Sequence, residues 1–230
     1  DHTNQSSNLV NFLTSPSDGG ILDVDIIALQ EVQPNLAAKL SSDLLTKYGD
    51  GNIYTYYVKH QTDSRNYGNM IISKYPLIDL QTYRINGSDG KFNRTLISSV
   101  VRTPTGDVRV FNIHTNAYSN PCNQLLQTYG YMRPHLEAGE KVVLLGDFNE
   151  QLRYVMGEEF KPECRDVGEK LKQFMNAECT LNECNHPAEQ PTTVDHIIAT
   201  DNIPINERCS KGNINGISDY HSLVGSTISL

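Results

Sequence analysis

The fold is decided by the stretch Val142-Val143-Leu144-Leu145-Gly146-Asp147-Phe148-Asn149. Its first four residues form an apolar run that is typical of a buried strand. Asp147 and Asn149 follow at the carboxyl end of this strand, and in an extended backbone residues two positions apart point to the same side. The stretch therefore predicts a strand that delivers a carboxylate and an amide to one cleft.

About eight segments have the apolar content or the alternation of strands, and they are 24–29, 53–58, 70–72, 96–101, 108–113, 142–145, 194–199 and 222–230. Helices are predicted between them at 8–13, 35–48, 123–138 and 168–175, and Pro34 suits the first position of the second helix. The run Thr103-Pro104-Thr105-Gly106-Asp107 predicts the turn of an antiparallel hairpin. This mixture of elements indicates a layered α/β architecture with mixed sheets.

Length and composition indicate one globular domain over residues 1–230, and we expect a monomer. The chain is 38% hydrophobic, has no flexible linker and has no apolar stretch that could cross a bilayer. Its net charge of −8 excludes a general attraction to nucleic acid or to an anionic membrane. A polyanionic substrate must therefore be met by local cations and bound metal.

The cysteines favour an oxidising compartment. Four of them cluster in the last third of the chain (Cys164, Cys179, Cys184 and Cys209), whereas Cys122 stands apart. We expect two disulfides within the cluster, with Cys122 left over or paired elsewhere. A zinc site at Cys179, Cys184 and His186 is the alternative. Together with three glycosylation sequons, at Asn4, Asn86 and Asn93, the cysteines predict secretion.

Several predicted strands end in side chains that carry chemistry. Glu31 ends an apolar strand, where a carboxylate is costly unless a cation or a donor meets it, so Glu31 is a candidate ligand for Mg²⁺. His114 ends another strand and would donate a hydrogen bond to a phosphate oxygen. Arg94 would bind phosphate, and Tyr67 and Asn69 precede a strand from which they would contact a ligand.

The carboxyl-terminal region adds acids and histidines. An Asp that orients a His is a standard arrangement for taking a proton from water, so Asp195 with His221 would activate the nucleophile. Asp219 would lie close enough to the metal to bind it or one of its waters.

The order of these motifs resembles the endonuclease/exonuclease/phosphatase superfamily, the deoxyribonuclease I-like fold. The resemblance spans residue 26 to the end, and Leu144-Leu145-Gly146-Asp147-Phe148-Asn149 is its most specific block. It implies a four-layer α/β sandwich of two mixed β-sheets flanked by helices, and hydrolysis of phosphate esters assisted by Mg²⁺, with Mn²⁺ or Ca²⁺ as alternatives.

The resemblance also implies residue roles. It makes Glu31 the metal ligand, Tyr67 and Arg94 the phosphate-side groups, His114 the oxyanion-stabilising histidine, Asp147 and Asn149 the pair that positions water and phosphate, and Asp195 the partner of the terminal histidine.

Three departures from the family pattern bear on function. Members begin with a core strand that carries a metal-holding Asn, whereas this chain begins with a polar stretch, so we expect that strand to be absent from it. The family's final Ser-Asp-His reads Ser218-Asp219-Tyr220-His221 here; we expect His221 to be the base, with Tyr220 as the alternative. Gln33 stands where related deoxyribonucleases have a DNA-holding Arg, which disfavours double-stranded DNA.

The leading hypothesis is a secreted, Mg²⁺-dependent phosphodiesterase of the nuclease type. A second enzymatic hypothesis keeps this machinery but acts on a phospholipid headgroup or an inositol phosphate. A hypothesis from a different class is a catalytically impaired homologue that serves as a binding module.

Overall fold

The computed structural model describes residue 11 and residues 24–60, 66–87, 93–118, 120–156, 158, 161–176, 195–203, 205–211 and 223–228. The strands in these ranges are β1 (Ile26–Val32), β2 (Tyr54–Lys59), β3 (Gly68–Ser73), β4 (Leu77–Ile85), β5 (Arg94–Thr103), β6 (Gly106–His114), β7 (Val142–Asp147), β8 (Met175–Asn176), β9 (Asp195–Thr200), β10 (Ile205–Lys211) and β11 (Leu223–Ile228). The helices are α1 (Pro34–Tyr48), α2 (Pro121–Glu137), α3 (Leu152–Val155) and α4 (Arg165–Leu171), with a 3₁₀ turn at Pro162–Cys164.

The strands form two main sheets and a separate pair. The larger sheet has the order β4-β5-β6-β7-β9-β8, and the smaller has the order β1-β3-β2. β6 and β7 run parallel, whereas their other neighbours in the larger sheet run antiparallel, so this sheet is mixed. The described strands of the smaller sheet are antiparallel, and β10 pairs with β11.

Three hydrophobic clusters separate four layers. The central cluster fills the space between the sheets, with Ile71 from β3 meeting Ile97 from β5 and Val110 from β6. A second cluster packs α1 on the smaller sheet, and a third packs α2 and α4 on the larger sheet. Burying one such aliphatic side chain contributes about 1.5–3 kcal/mol. The predicted four-layer α/β architecture is confirmed.

Local sequence signals account for the helix ends. α1 begins at Pro34, as predicted, because the fixed φ of proline suits the first helical position. It ends where Gly49 adopts a φ of 84° and donates its N–H to the carbonyl of Leu45 at 2.9 Å. The left-handed Asn120 caps α2 by accepting a hydrogen bond from the N–H of Asn123.

Several elements differ from the prediction, among them α3 and β10, which fall in no predicted segment. The predicted helix 168–175 instead spans Arg165–Leu171, because Met175 pairs with Thr200 in the larger sheet. The strand β4 was not predicted, since Asp79 interrupts its alternation at a register shift and adopts a φ of 47°. The hairpin turn at 103–107 is confirmed by the pairing of Thr103 with Gly106.

Other expectations lie partly or wholly outside the described residues. They are the predicted helix 8–13, apart from Asn11, and the expected absence of the family's first core strand. Within the described ranges, the helices are too short or too polar to cross a bilayer.

One disulfide joins α2 to the 3₁₀ turn. It links Cys122 to Cys164, whose Cα atoms lie 4.9 Å apart. The prediction of two disulfides within the carboxyl-terminal cluster is therefore wrong, because Cys164 pairs across the fold with the cysteine that was set apart. Cys179, Cys184 and His186, the alternative zinc set, lie outside the described residues.

Candidate active site

Three polar residues lie side by side at one edge of the larger sheet. β6 ends at His114, β7 ends at Asp147 and β9 begins at Asp195. His114 is the register partner of Asp147 on one side, and Asp195 is its partner on the other. Neighbouring strands thus bring together three predicted site residues that are far apart in sequence.

Gly146 allows β7 to approach β6 closely beside this row. It has a φ of 133°, and a Cβ atom at this position would lie 2.0 Å from the carbonyl oxygen of Ile113. No other residue type fits there without moving one of the two strands. The glycine of the predicted motif is therefore a packing requirement of the site.

Hydrogen bonds fix the groups around Asp147. The His114 Nε2 atom lies 3.5 Å from Asp147 Oδ2, and both side chains are buried. Asp147 Oδ1 accepts the backbone N–H of Asn149 at 2.8 Å. The Asn149 amide in turn donates to the carbonyl of Thr115 at 2.9 Å, and the Thr115 N–H donates to the carbonyl of Asp147 at 2.9 Å. The acid, the amide and the end of β6 form one connected unit.

The expectation that Asp147 and Asn149 share one side of an extended strand is wrong. β7 ends at Asp147, and Asn149 adopts a φ of 46°, so the backbone turns rather than alternates. The Asp147 carboxylate accepts the N–H two residues on, which is a local turn favoured by Asp. Phe148 between them is buried, edge-on to the His196 ring at 5.1 Å. The turn after β7, and not the alternation of an extended strand, joins the Asp147 carboxylate to the backbone of Asn149.

The predicted metal ligand Glu31 lies at the end of β1, which packs against β6 and β7. Gln30 Nε2 donates to Asn112 Oδ1 at 2.8 Å, and the Asn112 amide donates to the carbonyl of Leu29 at 3.2 Å. These bonds tie β1 to β6 two residues before His114. Glu31 follows on an irregular part of β1, with a φ of 54° and an exposed side chain.

A buried polar group joins β3 to the beginning of β5. Asn69 is fully buried, and its amide donates to the carbonyl of Thr95 at 2.9 Å. Arg94, one residue earlier, is also buried, whereas Tyr67 is half-buried beside the start of β3. Asn69 therefore links β3 to β5, and its direct contact with a ligand stays a prediction.

His60 lies beside the candidate site and was missed by the sequence reasoning. Its ring is only 1% exposed and lies 6.0 Å, centroid to centroid, from the ring of His114. His60 Nδ1 accepts the N–H of Thr95 at 3.2 Å, so the neutral ring carries its proton on Nε2. The available signal was its position just beyond the predicted strand 53–58, which the structure extends to Lys59.

His196 holds the loop that follows Asn149. Its Nε2 donates to the carbonyl of Glu150 at 2.9 Å. Desolvation by burial lowers the pKa of His196, so the ring is neutral at pH 7. The histidine of the predicted Val-Asp-His-Ile motif is thus a buried support, while Asp195 beside it is partly exposed at the site.

The carboxylate of Glu31 is the kind of oxygen ligand that suits a hard cation. Mg²⁺ usually takes one or two protein carboxylates and keeps several waters, and the exposed carboxylate of Glu31 offers such a ligand. The one close group of candidate ligands within the described part of the chain is Cys122, Glu150 and Cys164. It is not a metal centre, because both sulfurs are used in the disulfide and Lys161 pairs with Glu150.

The remaining predicted site residues, Asp219, Tyr220 and His221, lie outside the described residues.

The model of the Endonuclease/Exonuclease/phosphatase family matches residues 3–210. The chain belongs to this family. Family members are hydrolases that act on phosphate esters. No protein with a curated description matches the sequence.

Solved structures of the endonuclease/exonuclease/phosphatase family share the fold. A family protein from Leptotrichia buccalis is 15% identical with a TM-score of 0.66, and the match covers 100% of this chain and 94% of that one. A mannosyl-6-phosphatase from Bacteroides thetaiotaomicron is 12% identical with a TM-score of 0.68, covering 100% and 93%. The human Nocturnin catalytic domain with bound sulfate is 15% identical with a TM-score of 0.64, covering 98% and 86%.

Proposed function

We propose that this protein is a Mg²⁺-dependent phosphodiesterase of the nuclease type. The observation that carries the proposal is the row of His114, Asp147 and Asp195, held in register on three neighbouring strands. A buried imidazole beside two carboxylates supplies both a hydrogen-bond donor for a phosphate oxygen and acceptors for the protons of water.

Asp147 and Asn149 would orient the attacking water and the phosphate. The Asp147 carboxylate is fixed through the Asn149 N–H, and the Asn149 amide is fixed through the Thr115 carbonyl. Groups held this way lose little freedom when substrate binds, which is how positioning lowers a barrier.

His114 and Arg94 would stabilise the phosphate side. His114 would donate to a non-bridging oxygen as negative charge builds up, and the buried Arg94 guanidinium would add a fixed positive charge. A local cation of this kind is needed because the chain as a whole carries a net charge of −8. Asp195 would orient His221, the general base.

Glu31 and Asp219 would hold the ion, and Mn²⁺ or Ca²⁺ would suit the same oxygen ligands. When bound, the ion would polarise the phosphate and neutralise its charge. Among the described residues, Glu31 supplies an oxygen ligand for the ion, since its carboxylate is exposed at the end of β1.

We also propose that the protein acts outside the reducing cytosol. The disulfide between Cys122 and Cys164 supports this, because such bonds persist in oxidising compartments.

The test measures hydrolysis of a chromogenic phosphodiester and of a short single-stranded oligonucleotide, with Mg²⁺ and with EDTA. We expect turnover only with the metal. Asp147→Asn should lower kcat/KM by about a thousandfold, because it removes the negative charge and replaces one acceptor oxygen with an NH2 donor while keeping the shape. Asp50→Asn, in an exposed turn after α1, is the matched control and should leave the rate unchanged. Turnover that EDTA does not reduce, or equal rates in the two variants, would contradict the proposal.

A further inference from the structure

Tyr118 is by far the most exposed large hydrophobic side chain in the described part of the chain. Its side chain is 89% exposed, whereas the next three (Val24, Leu45 and Leu80) are between 41% and 46% exposed. An aromatic ring left in water forgoes the stabilisation that burial would give. The position of Tyr118 therefore needs an explanation.

The backbone that carries Tyr118 is held in place. The N–H of the buried Asn116 donates to Gln124 Oε1 at 2.7 Å, which ties the loop to α2. Asn116 Oδ1 then accepts the N–H of Tyr118 at 2.8 Å. Asn120 caps α2 immediately afterwards. The tyrosine is thus presented to solvent from a fixed loop.

This loop starts inside the site. Its first residue, Thr115, is the one whose backbone binds both Asp147 and Asn149. Tyr118 is three residues further on, so the two Cα atoms are at most about 11 Å apart. A stacked nucleic-acid strand advances by about 3.4 Å per nucleotide. The ring of Tyr118 is within reach of a base next to a phosphate bound at Asp147.

We propose that Tyr118 stacks on a nucleobase beside the scissile phosphate, which makes single-stranded nucleic acid the substrate class. This inference rests on the proposed phosphodiesterase function. An exposed aromatic ring stacks on a base of any sequence, and the faces of a base are open only outside a duplex. A chain with a net charge of −8 has little general attraction for a polyanion, so stacking supplies binding that charge does not.

The test compares two diesters and three variants. One substrate is a short single-stranded oligothymidylate, and the other is a glycerophosphodiester, which has the same phosphate chemistry but no flat ring. The variants are Tyr118→Ala, Tyr118→Phe, which keeps the aromatic face, and Leu80→Ala, which removes a half-exposed side chain from β4. Binding of a fluorescent oligothymidylate in EDTA is followed by anisotropy, so that affinity is read without turnover.

We expect Tyr118→Ala to weaken oligothymidylate binding and to raise KM for this substrate by about fivefold or more, with little change in kcat. The glycerophosphodiester rate should not change, and Tyr118→Phe and Leu80→Ala should behave like the natural protein. Weaker binding by Tyr118→Ala without turnover by any variant would support stacking of Tyr118 on a base but would overturn the proposed function.

The inference is overturned if Tyr118→Ala binds oligothymidylate as tightly as the natural protein, or if it loses activity equally on both diesters. It is also overturned if Tyr118→Ala leaves oligothymidylate binding unchanged but abolishes sedimentation with phosphatidylcholine vesicles. The exposed ring would then be a membrane anchor.

Discussion

The two ends of strand β6 hold charged groups in opposite ways. Near its beginning, the Arg109 guanidinium is only 6% exposed and bonds to Asp79 at 2.7 Å and to Glu140 at 2.9 Å. At its end, His114 leads a row in which Asp147 and Asp195 stand side by side. The Arg109 end surrounds one cation with two acids, whereas the His114 end places a histidine and an aspartate on either side of Asp147.

Backbone strain does not distinguish the two ends. Asp79 at the Arg109 end and Asn149 at the site end both have left-handed backbones, with φ values of 47° and 46°. Strain at Asp79 is offset within the protein, because the strained residue binds Arg109. An unusual φ is therefore not by itself a marker of a functional site.

The largest effect is expected from glycines at the two ends. Gly146→Ala should destabilise the protein by about 3 kcal/mol or more, because the new Cβ would collide with the Ile113 carbonyl in a left-handed backbone. Gly139, in the turn before Glu140, also has a positive φ but open space around it, so Gly139→Ala should cost about 1–2 kcal/mol. Urea unfolding measures both. Equal losses would show that close packing of β6 and β7 is unimportant.

A smaller effect is expected at the Arg109 end. Arg109→Leu removes the shared partner of Asp79 and Glu140 and should cost about 1–3 kcal/mol, since both carboxylates are partly exposed and water compensates in part. kcat/KM per folded molecule should not change. Arg102→Leu is the matched control, because its ion pair with Asp107 is exposed on both sides, and it should leave the urea midpoint unchanged. Loss of activity in folded Arg109→Leu would contradict the expectation that the Arg109 end of β6 affects stability and not activity.

The smallest expected effect is the pH dependence of the difference in unfolding free energy between the natural protein and Arg109→Leu. Hydrogen bonds from Gln81 and Arg109 lower the pKa of Asp79. Burial alone would raise the pKa of Glu140, but hydrogen bonds from Arg109 and His135 outweigh it and lower the pKa. Both carboxylates therefore contribute stability that is complete above their ordinary pKa of about 4 and is lost as pH falls through the lower folded values.

Urea unfolding of the natural protein and of Arg109→Leu, repeated from neutral pH to about pH 3, checks this expectation. The gap in unfolding free energy between the two proteins should shrink in acid. Buried His196 also makes the folded protein less stable in acid, because its pKa is lowered in the folded state and the ring gains a proton on unfolding. This loss of stability is the same in both proteins. A gap that stays constant would mean that Arg109 acts by packing alone.

Apolar periodicity made most of the fold predictable. The strands at 70–72, 108–113 and 142–145 lie within observed strands, and Pro34 located the start of α1. β4 escaped prediction because an exposed acid interrupts its alternation, and β8 because two residues form no pattern.

The grouping of His114, Asp147 and Asp195 was predictable, whereas the geometry around them was less so. Polar residues at the ends of apolar runs located His114 and Asp147, because strand ends meet at an edge. The turn at Asn149 depends on a side-chain hydrogen bond, and the bond between Cys122 and Cys164 depends on proximity across the fold, neither of which has a linear pattern. No sequence motif singled out His60, which drew attention only because its ring lies near that of His114 in the structure.

The parallel pairing of β6 and β7 has a consequence for how new specificities arise. Parallel neighbours require a crossover, and here the chain leaves the candidate site at Thr115, passes Tyr118 and returns through α2. Tyr118 can be exchanged without touching a ladder hydrogen bond, whereas Thr115 and Asn116 hold the site and the loop. Substitutions at Tyr118 should therefore change which ligands the protein binds while leaving His114, Asp147 and Asp195 in place.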